Sequence, residues 1–285
     1  MEVITSIDRM CSISDRKRKE GSTIGLVPTM GALHEGHLSL VRTAGESSDC
    51  VVVSIFVNPA QFGPNEDLER YPRDLENDKH LIGSAGGHLI FAPEPGEMYP
   101  DGYASYVNVE RLTAHLCGKT RPTHFRGVTT VVAKLFNIVN PHTAFFGQKD
   151  AQQLAVIKRM VRDLNIQVDI VGCPIVRESD GLAMSSRNSY LTDDERNHAP
   201  ILYRSLCAAK ELVESGITDS KEILDRTRGT LSSAGLLTIE YVELVDPFEM
   251  TDVRDVGNGA LLAIAGRYGK TRLIDNILLK KGGRS

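Results

Sequence analysis

Between residues 23 and 173, short unbroken apolar runs alternate with segments of helical period. The runs 23–27, 51–57, 88–92, 144–146 and 168–173 predict strands buried on both faces. The segments 38–44, 75–85, 128–139 and 152–164 predict helices between them. Such alternation implies a parallel sheet with right-handed crossovers, an α/β, Rossmann-like architecture. Past Arg187 the pattern changes. Thr192 and Glu195 read as a capping box opening a helix expected to reach residue 215, and a second helix is expected over 220–232. The stretches 239–245, 260–265 and 272–279 then read as short strands. The expected organisation is a Rossmann-like domain over 1–178 and a smaller α+β C-terminal domain over 179–285. Residues 179–188, which join them, carry Ser179, Asp180, Gly181, Ser185 and Ser186 with few apolar anchors, the composition of a mobile lid.

A chain of 285 residues has room for these two domains. Its net charge of −4 shows no bulk nucleic-acid footprint. Five scattered cysteines without a CxxC favour reduced thiols and a cytoplasmic setting over a disulfide framework. The N-terminus, with Glu2 and Asp8, has no signal-peptide core, and no apolar stretch nears the ~20 residues of a membrane span. The basic tail from Lys280 reads as a frayed end. Neither GxGxxG nor GxxxxGK[ST] occurs, so any phosphate site is neither a dinucleotide fingerprint nor a P-loop.

Ligands of such sheets bind beyond the carboxyl ends of the strands. Residues 28–37, PTMGALHEGH, follow the first apolar run. A strand, a Gly-bearing turn and a first helical turn make a phosphate site, because free N–H groups and the helix dipole favour an anion. His34 and His37 are three apart and share one helix face, with Gly36 allowing close backbone approach. A zinc site is the other sharp reading, but nothing nearby completes a tetrahedral set. Met184-Ser185-Ser186-Arg187 offers two small hydroxyls and a guanidinium for the far end of a triphosphate. After the second run, Gln61 presents a donor and an acceptor suited to a polyhydroxy substrate. After a later one, Gly147-Gln148-Lys149-Asp150 presents a lysine for phosphate oxygens, with Asp150 either a ribose partner or a helix N-cap. One of Gln152 and Gln153 should face the pocket. Residues 121–127, RPTHFRG, read as an anion gate or a structural loop.

In order, the strings PTMGALHEGH, FVNPAQFG, YPRD, RPTHFRG, FFGQKDAQQL, DGLAMSSRNSYL and RLIDN resemble the pantothenate synthetase (pantoate–β-alanine ligase) family across residues 23–276. In that resemblance His34-Glu35-Gly36-His37 stands for the HIGH-type motif of the nucleotidyltransferase-like superfamily, and 184–187 for the mobile KMSKS-type loop. It implies an AMP-forming ligase that joins (R)-pantoate and β-alanine through pantoyl adenylate, with ATP as substrate, Mg2+ as cofactor and a homodimeric state. By motif, Met30, Gly31, Ala32, Leu33, His34, Glu35, Gly36 and His37 would line the ATP site. Gly147, Gln148, Lys149, Asp150, Val176, Met184, Ser185, Ser186 and Arg187 would complete it. His34, His37, Lys149 and Arg187 would be catalytic, and Gln61 and Gln153 would hold pantoate, with Gln61 also approaching β-alanine. The metal ligands stay open, with Asp78 a candidate.

Three other readings fit part of the pattern. A class I aminoacyl-tRNA synthetase would need a basic tRNA-binding face. A mononucleotide adenylyltransferase would activate a phosphomonoester instead of a carboxylate. A non-catalytic ATP-binding regulator would have no use for Lys149, Gln61 and Gln153 together.

Overall fold

The computed structural model describes residues 1–64, 66–233 and 235–280, so the expected frayed end falls, from Lys281 on, outside the described residues. Strands β1 (Glu2–Ile4), β2 (Ile24–Thr29), β3 (Cys50–Ile55), β4 (Leu89–Phe91), β5 (Thr143–Gly147) and β6 (Asp169–Cys173) form one parallel sheet in the order β1-β4-β3-β2-β5-β6. Helices α1 (Ile7–Lys19), α2 (Glu35–Ser47), α3 (Leu75–Ser84), α4 (Pro95–Met98), α5 (Leu116–Thr120), α6 (His124–Val139) and α7 (Ala151–Asp163) connect them.

The continuous apolar runs follow from burial on both faces. Ile24, Leu26 and Val52 point into a core with α1, α6 and α7, while Val27, Val51 and Val53 pack on Leu38, Val41 and Ile82 of the opposite layer. Strand β1 and helices α1, α4 and α5 escape the sequence pattern. Strand β1 is a three-residue edge strand, and α1 is rich in Arg and Lys and buries only Met10, Ile13 and Ser14. Helices α2 and α6 begin about one turn before the apolar pattern predicts, at Glu35 and His124. Their first turns carry polar residues that serve the cleft.

The C-terminal part holds α8 (Asp193–His198), α9 (Ile201–Glu214) and α10 (Ser220–Ser232), then an antiparallel sheet of β7 (Leu237–Val245), β8 (Ala260–Tyr268) and β9 (Thr271–Leu279). The Thr192–Glu195 capping box is present. The one helix expected over 192–215 is instead two, because Pro200 has no N–H to continue the ladder. Leu202, Leu206, Val213, Ile223, Val242 and Leu262 form a separate apolar core here. A further cluster joins Leu116, Phe125 and Val156 to Val245, Leu261 and Ala263, seating the small sheet beside α5, α6 and α7. Among the described residues no helix is long and apolar enough to cross a membrane.

Candidate active site

The chain starts at the edge strand β1, builds outward from β2 through β3 to β4, which pairs with β1, then crosses back to β5 on the other side of β2. A crevice opens at such a switch point, beyond the carboxyl ends of both central strands. It forms a cleft of about 1110 Å3. Single-ligand pockets run to ~300–1,000 Å3, so a nucleotide and a second small substrate fit together.

The turn from β2 into α2 lines one side. His34 is the N-cap of α2, and its Nδ1 accepts the Gly36 N–H at 3.1 Å. The His34 N–H is donated in turn to His37 Nδ1 at 3.4 Å. A peptide N–H can only donate, so both Nδ1 atoms are unprotonated and each neutral ring carries its hydrogen on Nε2. Burial pushes His34 down to about 4, with Lys149 adding to the shift. Burial, His34 and Lys149 drive His37 well below its ordinary range. Both imidazoles are therefore neutral donors at pH 7. The ring centroids lie 4.1 Å apart. Gly36 is required for this contact, since a Cβ there would sit 2.8 Å from His34 Cε1.

Asp78 of α3, 1 % exposed, grips the same turn from behind. Its Oδ2 and Oδ1 accept the N–H groups of Ala32 at 3.0 Å and Leu33 at 2.8 Å. Burial raises its pKa, and these two bonds oppose the rise. The residue considered from sequence as a metal ligand thus has both oxygens committed to peptide groups, and its task here is to fix the turn.

Gln61 ends a single 3-10 turn, Pro59–Gln61, that follows β3. The buried Asn58 caps this turn, donates to Gln61 Oε1 at 3.0 Å and to the Gly127 carbonyl at 3.1 Å, and accepts from the Tyr99 hydroxyl at 2.8 Å. Helix α6 can come this close only at glycine, because a Cβ on Gly127 would sit 2.2 Å from the Ala60 carbonyl oxygen. The Gln61 carbonyl accepts from Arg121 Nη2 at 3.2 Å and from His124 Nδ1 at 2.9 Å. Burial, then Arg121, push His124 down to about 4, so it too is neutral. Residues 121–127 therefore brace Gln61 and the loop beside it.

Beyond β5, Lys149 and Asp150 line the cleft. Asn276 of β9 donates to the carbonyls of Gln148 at 3.0 Å and Lys149 at 2.9 Å, so the C-terminal sheet holds this turn in place. Of the two glutamines that follow, Gln152 is buried and bonds the carbonyls of Leu112 and His115, each at 2.8 Å. Gln153 also lines the cleft and has the freer side chain.

The far side is closed by a 3-10 turn, Ser186–Tyr190. Val176 and Met184 run side by side, joined by the Met184 N–H to the Val176 carbonyl at 3.0 Å. Ser186 donates to the Ala32 carbonyl at 3.1 Å, and the Tyr190 hydroxyl to the Arg70 carbonyl at 3.2 Å. Arg187 pairs with Asp67 through two bonds. The 179–188 stretch, expected to have few apolar anchors, buries Leu182 and Ala183 and has polar anchors as well. Asn188 bonds Glu178 at 2.8 Å, and Arg196 pairs with both Glu178 and Asp180 at 2.6 Å.

Met30, His34, Gly36, His37, Gln61, Gly147, Lys149, Asp150, Gln153, Val176, Met184, Ser185, Ser186 and Arg187 all line one cleft. Gly31, Ala32, Leu33, Glu35 and Gln148 do not. Leu33 is buried in the core, Glu35 is exposed and paired with Arg42, and Gln148 reaches the Gly172 carbonyl at 3.3 Å. Sequence reasoning assigned no role to Asn58, Asp67 or Asn276, although the strings containing Asn58 and Asn276 stood out. It also passed over Arg267 and Lys270, which the β8–β9 hairpin brings to the cleft.

The family model for pantoate–β-alanine ligase matches residues 2–278. A pantothenate synthetase of Acetivibrio thermocellus is 55% identical over 280 residues, 98% of this chain and 100% of the relative. The crystal structure of pantothenate synthetase from Thermus thermophilus superposes with a TM-score of 0.93 at 47% identity, covering 97% of this chain and 99% of that one. A pantoate–β-alanine ligase structure from Francisella tularensis, complexed with β,γ ATP and β-alanine, has a TM-score of 0.80 at 35% identity, covering 98% and 97%. Whole-length identity above half, the same fold and the cleft at the switch point agree: this chain belongs to the pantoate–β-alanine ligase family.

Proposed function

We propose that this chain condenses (R)-pantoate with β-alanine, using ATP and releasing AMP and pyrophosphate through a pantoyl adenylate. The observation that carries the reading is the meeting, in one cleft, of a phosphate-type helix start with two neutral histidines, a lysine from the neighbouring strand end and the pair Gln61 and Gln153.

A pantoate carboxylate, with a pKa of about 4, is already ionised at neutral pH and needs no base to attack the α-phosphate. The barrier is electrostatic, since an anion approaches a polyanion and charge builds on leaving pyrophosphate. The Nε2–H groups of His34 and His37, the Lys149 ammonium and the Arg187 guanidinium are the donors this chain offers to that charge. They are neutral or cationic at pH 7, so none repels the phosphate. Gln61 and Gln153 hold the pantoate hydroxyls and carboxylate in line, and Gln61 also approaches β-alanine. The β-alanine amine, once it has lost its proton, attacks the acyl carbon and AMP departs.

Mg2+ suits the donor set. Asp78 is bonded to two peptide N–H groups and Asp67 to Arg187, while Asp150 lines the cleft. An ion carried in on phosphate oxygens and water, reached by one carboxylate, is the usual habit of Mg2+. Bound there it would neutralise charge on the triphosphate. A domain boundary at 178/179 is supported by the separate apolar core of the C-terminal part. A homodimer is carried over from the family resemblance, and a cytoplasmic setting from the five scattered cysteines.

Labelled pyrophosphate should exchange into ATP when pantoate is present and β-alanine is absent. Release of ADP and phosphate would overturn the reading. Exchange with a phosphomonoester in place of pantoate would favour a mononucleotide adenylyltransferase.

A further inference from the structure

Arg187 is the cation assigned above to the triphosphate, yet its guanidinium is engaged by the protein itself. Nε meets Asp67 Oδ2 at 3.0 Å and Nη2 meets Oδ1 at 2.9 Å, with side chains only 29% and 16% exposed. Although burial raises it, the Asp67 carboxyl is held below its ordinary range by Arg187. The preceding residue, Glu66, holds Arg121 in the same two-pronged way, 2.5 Å to each oxygen. All four side chains line the cleft.

A carboxylate and a phosphate are equivalent partners for a guanidinium, each presenting two oxygens to its fork. An arriving triphosphate therefore meets a cation that already has a partner. Once the guanidinium turns to phosphate, a bare Asp67 carboxylate is left beside a polyanion, and like charges at that range repel. We propose that Asp67 is a place-holding partner for Arg187. It pairs the guanidinium before ATP binds, yields it to the triphosphate, and takes it back as pyrophosphate leaves. This rests on the reading that Arg187 meets the triphosphate. Asp67 is on this account a positioning residue that loosens both phosphate ligands and so speeds product release. Holding the loops together does not depend on it, because Ser186 with Ala32, Tyr190 with Arg70 and Glu66 with Arg121 make independent contacts.

Asp67→Asn removes the charge and keeps the shape. Binding of α,β-methylene ATP with Mg2+, and of inorganic pyrophosphate, should each tighten roughly tenfold, the scale of one like charge removed nearby. Pantoate affinity should stay unchanged, pyrophosphate should become a stronger product inhibitor, and kcat and KM for ATP should fall together. Arg187→Gln should weaken both phosphate ligands, and in that background Asp67→Asn should tighten them less than it does with Arg187 present, because only the repulsion and no longer the competition for the guanidinium is removed. Asp67→Glu, which keeps the charge, should retain the original affinities; if it binds as tightly as Asp67→Asn, the proposal is overturned. It is also overturned if Arg187→Gln weakens both ligands while Asp67→Asn leaves them unchanged or weakens them. If Arg187→Gln changes neither ligand, the triphosphate assignment itself fails.

Discussion

The two walls of the cleft are built by different means. On the sheet side, hydrogen bonds that end mostly on peptide groups fix the reactive side chains or the turns that bear them. His34 and His37 are locked to N–H groups of their own helix start, Asp78 grips the turn before them, Asn58 fixes Gln61, and Asn276 fixes the turn bearing Lys149. On the opposite side, charges and hydroxyls do the holding: Arg187 with Asp67, Arg121 with Glu66, Arg196 with Glu178 and Asp180. Buried bonds to peptide groups have no competing partner and keep geometry constant. Partly exposed ion pairs contribute little net stability and can trade one anion for another. The donors proposed for the chemistry thus sit on one wall, and the ion pair proposed to exchange its anion sits on the other.

The largest expected effect falls on the fixed wall. His37→Ala or Lys149→Ala should lower turnover roughly 10²–10³-fold, the scale for losing one transition-state donor, with the thermal midpoint little changed. A fully active variant, or one that fails to fold, would erase the distinction between chemical and architectural residues on this wall. Next come the glutamines. Gln61→Ala and Gln153→Ala should weaken pantoate by roughly 1–3 kcal/mol each, from buried polar groups left unpaired, and leave ATP nearly untouched. Equal loss of both ligands in titration calorimetry would mean that Gln61 braces the whole wall.

The smallest effect sharpens the comparison through pH. Because His34 and His124 titrate at about 4 and His37 lower still, pyrophosphate exchange should change less than about twofold between about pH 7.5 and 5.5. An inflection near 6.5 would show that a catalytic histidine is charged. Stability behaves otherwise. These folded-state values are depressed, so the histidines' contribution is complete above about 6.5 and is lost as pH falls from there towards 4. At about pH 5.5 the loss is roughly 1 kcal/mol per histidine, visible as a lower thermal midpoint.

The sheet and the motif residues at its strand ends were legible in the sequence because burial on both faces of β2, β3 and β5 leaves unbroken apolar runs. Strand β1 was not, since three edge residues carry no such signal. The first turn of α2 was legible from its motif although it lies outside the apolar stripe, whereas that of α6 reads as a loop because residues that serve the cleft interrupt its stripe. Asp78 was noticed for its charge, but its partners lie 45 and 46 positions away. Arg187 and Asp67 are 120 positions apart, and no spacing rule joins them. The break at Pro200 was readable in principle, and the helix pattern on either side overrode it.

One bond pattern governs how the two halves of the molecule can turn against each other. The Asn276 amide staples two successive carbonyls, those of Gln148 and Lys149, to the last strand of the small sheet. Any rigid rotation of that sheet that keeps both bonds must have its axis pass close by. Displacement grows with distance from an axis, so the Lys149 backbone would sit near the fulcrum of any such rotation. A rotation of that kind would leave the Lys149 backbone in place relative to His34 and His37.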